Sequence, residues 1–555
     1  MRASYDVVVV GSGFGGAIAA CRLAQAGRSV CILERGKRWD KTEFPRSPGE
    51  VSKCFWRANA SFGFLEYKTF SRIDVIQGCG VGGGSLHYFN VHLRAAKEIF
   101  FQGSWPAEVT RATLDPYYAV AEDMLDSAPL TPPEGRELPD RTKAFQAAAT
   151  AAGRTTQLVP IGVYTGKDRA NPHSGIAQTA CDYSGDCMLG CALHAKNTLD
   201  LNYIPVAERN GAEVFPLHQV DKIEPLGDNG YRLFFDRLDA SNPRKSELGS
   251  VVGKKVVLAA GTLGSSELLL RSRDVYKTLA NISPALGRRF SGNGDFLLAG
   301  TMDADREIDP GRGPSITVGA DFSTVNNRIF IEDLGFPEPF IWLLEGAIPS
   351  SNRFMNLIGA AATYLMDALG VGRGRISFEA DRLFQGGATT RFLPYLGMGT
   401  DAADGRLQLK GGWIDVQWNL QKSKQLFREI EQALKDLSRR IHGKYVPSML
   451  WQWPLRKLLT AHPLGGCFMG EEARNSVVNH CGEVWGYPNL YVADASIIPT
   501  ALAVNPSLTI SALAERVAFM LTGLPPSGGS TCLRSIWKRK GCAGAGAGEQ
   551  SSRFT

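Results

Sequence analysis

The stretch that decides the fold is "YDVVVVGSGFGGAIAACRLAQAGRSVCILER", residues 5–35. Four consecutive valines after Asp6 make a β-branched run with the length of a buried strand. A glycine turn follows, then an alanine-rich helical segment, then "SVCILER", a second buried strand. The unit is βαβ. Gly11, Gly13 and Gly16 stand in G-x-G-x-x-G register where strand passes into helix, with Phe14 and Gly15 between them, and Glu34 closes the second strand. Gly11 permits the turn, Gly13 lets the backbone approach a pyrophosphate at the helix N-terminus, and Gly16 admits close helix–strand packing. The Glu34 carboxylate can accept hydrogen bonds from a ribose diol. Glycine clusters by themselves are plain turns; here strand, spacing and acid agree on a dinucleotide site.

Further along, "QGCGVGGGSLHYFN" (77–90) places five glycines in the seven positions from Gly78 to Gly84, too many for a helix or strand interior. A surface loop is the plain alternative, but the apolar Val81, Leu86, Tyr88 and Phe89 around the glycines favour backbone wrapped along a cofactor. "GKKVVLAAGTLGSSELLL" (253–270) again reads strand, glycine turn, helix, with Gly261 at the turn. "NLYVADASIIP" (489–499) delivers Asp494 and Ala495 at the carboxyl end of a strand, where ligands of open α/β sheets bind. The expected fold is therefore α/β: a Rossmann-type nucleotide-binding domain assembled from discontinuous segments, residues 1–300 and 456–524, with a β-rich cap over 301–455. Within the cap, "KSKQLFREIEQALKDLSRRIHG" (422–443) is an amphipathic helix with Leu426, Ile430, Leu434 and Leu437 on one face. Residues 525–555 are rich in glycine and serine with a basic knot, and are expected to be disordered.

The chain has 555 residues, 44% hydrophobic and 21% charged, an ordinary globular composition. Its net charge is +6 and Lys and Arg are dispersed outside the tail, so no basic stripe serves nucleic acid, and that class of partner is set aside. Eleven cysteines is an odd number, and the chain opens directly on the first strand; a reduced, cytoplasmic setting is the expectation. The longest apolar run, "FMNLIGAAATYLMDALGVG" (354–372), is broken by Asn356, Thr363 and Asp367, and falls short of the roughly 20 apolar residues of a membrane span. With Trp342, Leu343 and Leu344 it is expected to form a lid over an apolar pocket, with transient contact to a membrane surface as an extension of that reading.

Taken together, the N-terminal fingerprint, "GCGVGGGSL", "LDPYYAVAEDML" (114–125), "VVLAAGTLGSSELLL", "AHPLGGC" (461–467) and "GEVWGYPNLYVADASIIPTALAVNPSLTISALAER" (482–516) resemble the glucose–methanol–choline oxidoreductases, in their cholesterol oxidase branch. The resemblance spans about residues 5–520 and implies an FAD-dependent enzyme that moves hydride from an alcohol carbon to the flavin. It implies that Glu34 binds the adenosine ribose, that Val220 meets the adenine, and that Asp494 holds the ribityl chain. Gly78, Gly84 and Asn90 would line the flavin, and Tyr88, Gly261, Ala495, Pro506 and Ser507 would join the cofactor wall. His462 of "HPLGG" and Asn505 of "NP" would stand over the flavin ring as the catalytic pair. The chemistry needs such a pair: as hydride leaves the carbinol carbon the hydroxyl proton must leave too, and imidazole can take it while an amide orients the oxygen.

The substrate class implied is a bulky apolar alcohol, foremost a 3β-hydroxysteroid, with molecular oxygen as acceptor. A dehydrogenase using another acceptor stays open, as does a photodecarboxylase-like lyase, although the retained His462 argues against the lyase. Some relatives tether FAD through a histidine, for which His87 is the residue here; a non-covalent cofactor is expected. Two departures bound the resemblance. Steroid oxidases of this branch also isomerise the product, using a cap glutamate, and "IEDLGFPEPFIWLLE" (331–345) registers Ile341 or Phe340 there with Glu338 close by, which leaves isomerisation open. In "CDYSGDCMLGCALHAKNTLDLNY" (181–203), Cys181, Cys187 and Cys191 have C-x5-C-x3-C spacing, with His194 as a conceivable fourth ligand. The C-x2-C half typical of four-cysteine sites is absent, and small buried thiols in a turn, with no metal, are the favoured reading.

Overall fold

The structure is a computed structural model that describes residues 1–102, 105–303, 306–337, 340, 391–452 and 455–524. Its opening unit is the βαβ the sequence predicts: strand Ser4–Val10, helix Phe14–Gln25 and strand Val30–Leu33. Val7 to Val10 and Val30 to Leu33 are buried, as strands covered on both faces must be. Arg22 is buried in the helix, and its guanidinium meets Glu515 of helix Ser507–Thr522 through Nε and Nη2 at 2.8–3.2 Å. Tyr203 Oη donates to the same carboxylate at 2.7 Å. The earliest and latest described helices are thus locked together by a paired, hydrogen-bonded charge, the condition under which an ion pair survives burial.

Strand Ser4–Val10 lies between Val30–Leu33 and the long strand Asn242–Leu258, parallel to both, with Val9 opposite Ile32 on one side and Val257 on the other. Glu213–Phe215 adds a parallel strand outside Val30–Leu33. Leu490–Val492 runs parallel to the end of Asn242–Leu258, Tyr491 opposite Val257. The antiparallel strands Tyr231–Asp239 and His218–Pro225 complete seven. The carboxyl ends stand level, because Gly11 N–H donates to Leu33 O, Ala259 N–H to Val10 O and Ala493 N–H to Leu258 O at 2.8–2.9 Å. Three segments far apart in sequence therefore open onto one crevice, the place where doubly wound sheets bind ligands.

A second, antiparallel sheet has six strands in the order Lys444–Val446, Phe296–Met302, Phe392–Gly399, Ile329–Asp333, Val318–Asp321, Thr156–Leu158. Helix Lys424–Arg440 covers it with Leu426, Phe427, Ile430, Leu434 and Leu437 buried, the stripe expected from the sequence. The cap does not keep to 301–455. Thr156–Leu158 and Phe296–Met302 join its sheet from the segment assigned to the nucleotide domain, and the hairpin Arg406–Lys410 and Trp413–Gln417 packs back on helix Gly261–Leu270. A three-residue strand is too short for alternation to be read, and its partner is chosen by tertiary packing.

A small sheet joins the two regions: Leu458–Thr460 runs parallel to Ile73–Gly78, which pairs antiparallel with Leu65–Thr69. Among the described residues, no helix is long and apolar enough to cross a membrane. The expected lid (354–372, with Trp342, Leu343 and Leu344), Glu338 and Ile341, and the expected disordered tail all lie outside the described residues.

Candidate active site

A cavity of about 770 Å³ follows the carboxyl ends of the parallel strands and continues under the cap sheet. Its walls take in Gly11, Gly13, Phe14, Gly15 and Glu34 from the first unit and Gly78, Gly84, Tyr88 and Asn90 from the glycine loop. Val220 and Gly261 line it farther along, and His462, Asp494, Ala495, Asn505, Pro506 and Ser507 come from the C-terminal segments. Of the residues proposed from sequence, Gly16 alone stays out of the wall; it packs the helix against the Gly11 carbonyl.

The shape and the donors fit FAD. Helix Phe14–Gln25 has no acidic residue in its first turn and no side-chain cap, so its positive end is left to the cavity and suits a pyrophosphate. The two glycine loops meet backbone to backbone: a Cβ on Gly83 would stand 2.5 Å from Gly13 Cα. Asn90 is fully buried at φ +68°, and neither its amide nitrogen nor its oxygen has a partner. A buried amide with both ends unsatisfied in a cavity wall is what the polar edge of a bound ring would complete.

Glu34 and Asp494 also have tasks inside the protein. Glu34 accepts from Ser12 N–H (3.0 Å), Ser12 Oγ (2.7 Å), Gly36 N–H (2.9 Å) and Gly80 N–H (3.2 Å). It therefore ties the first turn to the glycine loop. Asp494 accepts from Gly261 N–H at 2.9 Å and Ser496 N–H at 2.9 Å, and from the hydroxyls of Ser265 and Ser496. Burial raises its carboxyl above the usual range, and those four donors pull it back. These acids align the strand ends before any ligand arrives.

His462 follows strand Leu458–Thr460, whose last residue sets it in place: Thr460 Oγ1 accepts from His462 N–H at 2.8 Å and donates to Asp295 Oδ2 at 2.8 Å. The ring meets the same acid, Nδ1 to Asp295 Oδ1 at 2.9 Å. After the ring the chain is pinned by Thr262 Oγ1 donating to Pro463 O (2.6 Å) and by the Ser291–Leu464 bridge. Asn505 donates through Nδ2 to Glu332 Oε2 at 3.2 Å, while Asn505 Oδ1 and Glu332 Oε1 have no partner among the described residues. Glu332 sits in the cap strand Ile329–Asp333, fully buried, and burial holds its carboxyl well above the usual range, with Asp333 and Asp295 adding to the effect. The cap strand thus brings a buried carboxyl against the Asn505 amide.

Three of these residues escaped the sequence reading. Glu332 lies at the start of "IEDLGFPEPF", where Ile329–Asp333 pairs on both sides inside the cap sheet, while Glu338 and Ile341 lie outside the described residues. Phe340 packs against an apolar cluster. Asn293 and Asp295 lie in "SGNGD" (291–295), whose glycines and short polar residues read as a turn and nothing more. Asn293 Oδ1 accepts from Leu502 N–H and Ala503 N–H, and its Nδ2 donates to Val504 O at 2.9 Å. One turn therefore positions the chain before Asn505 and, two residues later, the ring of His462.

Around the far end of the cavity the wall is apolar: Phe89, Met188, Leu297, Leu298, Phe336 and Leu459. A bulge interrupts strand Phe296–Met302 between Phe296 and Ala299, and Leu298 has φ +66°. Bulges re-aim side chains, and this one sets both leucines in the wall. His87, also in the wall, is held neutral, pushed down to about 3 by burial and by nearby Lys196. Lys196 donates to the carbonyls of Leu86, Tyr88 and Cys187, and burial pushes it down to about 8. It buttresses the glycine loop with the cysteine segment. Cys181, Cys187 and Cys191 are free thiols lining a separate cavity of about 210 Å³. Among the described residues, no group of three or more His, Cys, Asp or Glu side chains is arranged to hold a metal ion.

Comparison with known proteins agrees with this geometry. Two family profiles, each described as GMC oxidoreductase, match residues 6–290 and 403–514. A cholesterol oxidase of Acinetobacter baumannii is 30% identical over 547 residues, 92% of this chain and 93% of its own. A long-chain-alcohol oxidase of Arabidopsis thaliana is 23% identical over 533 residues, 92% of this chain and 66% of its own. The crystal structure of pyridoxine 4-oxidase from Mesorbium loti superposes with a TM-score of 0.61 at 17% identity, covering 94% of this chain and 99% of that one, a likeness of fold. With both profiles matched across the cofactor crevice and the His462–Asn505 segment, the chain belongs to the GMC oxidoreductases, FAD-dependent enzymes that act on alcohols.

Proposed function

We propose that the protein oxidises the hydroxyl of a bulky apolar alcohol, a 3β-hydroxysteroid first among them, with oxygen as electron acceptor. The observation that carries this reading is that His462 and Asn505 line one cavity with the apolar Phe89, Leu297, Leu298 and Phe336. Such a wall favours a large apolar body and leaves a few polar groups to choose its orientation. His462, with Nδ1 engaged by Asp295, has Nε2 for the hydroxyl proton. Asn505, with one Nδ2 hydrogen engaged by Glu332, has a second to donate to the hydroxyl oxygen. Bound FAD supplies the acceptor for the hydride that leaves the carbinol carbon.

The test is a substrate panel: a 3β-hydroxy-5-ene sterol, a saturated long-chain alcohol and glucose, with peroxide formation and acceptor-dye reduction read in parallel. Sterol turnover at least tenfold above the other two, with peroxide formed, is expected. Preference for the linear alcohol would replace the steroid, and dye reduction without peroxide would replace oxygen. Product from a fatty acid under anaerobic illumination, with no alcohol turnover, would make the protein a lyase.

A further inference from the structure

Asp295 is in direct contact with the ring of the proposed proton acceptor, and its surroundings leave it one geometry. It is 2% exposed, in the turn that precedes the cap strand Phe296–Met302, and its own N–H donates to Gly292 O at 3.0 Å. Its Oδ2 accepts twice, from Thr460 Oγ1 at 2.8 Å and from the backbone N–H of Ala461 at 3.1 Å. Its Oδ1 faces His462 Nδ1 at 2.9 Å. The donors to Oδ2 come from the two residues immediately before His462, so acid and ring are tied at both ends of one short segment.

We propose that Asp295 is the positioning residue of the reaction: it holds the proton of His462 on Nδ1 and so presents Nε2, unprotonated, to the substrate hydroxyl. The inference rests on the assignment of His462 as proton acceptor. A carboxylate oxygen is an acceptor only, so the ring nitrogen facing it must carry hydrogen, which leaves the other nitrogen as base. In the step itself the carbinol C–H bond breaks with its electron pair leaving as hydride to FAD, and the O–H electrons become the second bond of the carbonyl. The proton goes to Nε2. The imidazolium formed then lies against a carboxylate, which stabilises the charge developing in the transition state without a bond having to reorganise. Since the cap turn supplies Asp295 and strand Leu458–Thr460 supplies the histidine, the base is assembled where the two sheets meet.

The discriminating variant is Asp295→Asn, because the amide fills the same space with one donor end. The N–H of Ala461 cannot turn away, so the amide oxygen must take the Oδ2 position and the NH₂ must face His462. That NH₂ donates to Nδ1 and forces the ring proton onto Nε2, where it blocks acceptance of the hydroxyl proton. Nitrogen NMR of the cofactor-free protein labelled in histidine should show His462 protonated at Nδ1, and at Nε2 in Asp295→Asn. With FAD bound and substrate mixed anaerobically, the variant should reduce its flavin roughly 10²–10⁴-fold more slowly, with KM within a few-fold and FAD affinity unchanged. A purely structural acid would alter FAD affinity or melting and leave the tautomer alone. Finding Nε2 protonated in the unsubstituted protein overturns the proposal without recourse to any variant. So does a normal flavin reduction rate in Asp295→Asn where His462→Ala is slow; a normal rate in His462→Ala as well would instead remove the assignment of His462 on which the proposal rests.

Discussion

His462→Ala is expected to fold, bind FAD and stay yellow while losing flavin reduction by roughly 10²–10⁴-fold, the scale of removing a general base. The loss belongs to reduction and not to reoxidation, because the ring serves the hydroxyl proton and the proton leaves with the hydride. Folding should survive because the backbone around the ring is held without it: His462 N–H by Thr460 Oγ1, Pro463 O by Thr262 Oγ1, and Leu464 by Ser291. His462→Gln should retain part of the rate if bonding to the oxygen is the larger share of the role, since an amide still bonds but is a poor base. Asn505→Ala should slow the same step, and the double variant should lose less than the product of the single losses, because both side chains act on one oxygen. Stopped-flow reduction under anaerobic conditions reads all four. Loss of FAD from His462→Ala would make the histidine structural, and an unchanged reduction rate would end its catalytic assignment.

The second large effect is expected on the cofactor, where two glycines separate packing from contact. A Cβ on Gly16 would stand 2.0 Å from Gly11 O and 3.2 Å from Ala259 Cβ. Neither is the mobile end of a long side chain, so Gly16→Ala must push helix Phe14–Gln25 off the strand ends, with an overpacking cost of about 1–3 kcal/mol. With the helix N-terminus as the proposed pyrophosphate site, the same displacement should weaken FAD about 10–100-fold, as each 1.4 kcal/mol is a factor of ten, and lower the melting temperature of the cofactor-free protein. At Gly84 a Cβ would meet no protein atom within 4 Å, and the residue lines the cavity. Gly84→Ala should therefore leave the cofactor-free melt unchanged and still weaken FAD, because the methyl group enters the space the flavin needs. Equilibrium binding of FAD beside thermal melts of the cofactor-free proteins checks both. Full FAD affinity in Gly84→Ala would move the ring away from that loop.

What the sequence determined by itself is whatever rests on short-range pattern. The βαβ opening at residues 5–35, the glycine loop at 77–90 and the helix face of Leu426, Ile430, Leu434 and Leu437 are set by periodicity and by the positions glycine takes; the opening and the helix face stand in the structure as read, and the loop lines the cavity. The ordered motifs around "AHPLGGC" and "NPSLTI" likewise brought His462 and Asn505 to one cavity. The tertiary structure alone decided the groups behind that pair. Asp295 is 167 residues from His462 and Glu332 is 173 from Asn505; each sits in a segment whose composition announces only a turn or a strand. The edge strand Thr156–Leu158 entered the cap sheet for the same cause, since three residues carry no period. The physical reason is that a hydrogen-bond partner across a domain junction is selected by where two sheets meet, and that meeting is set by the burial of many side chains at once, which no local stretch of sequence records.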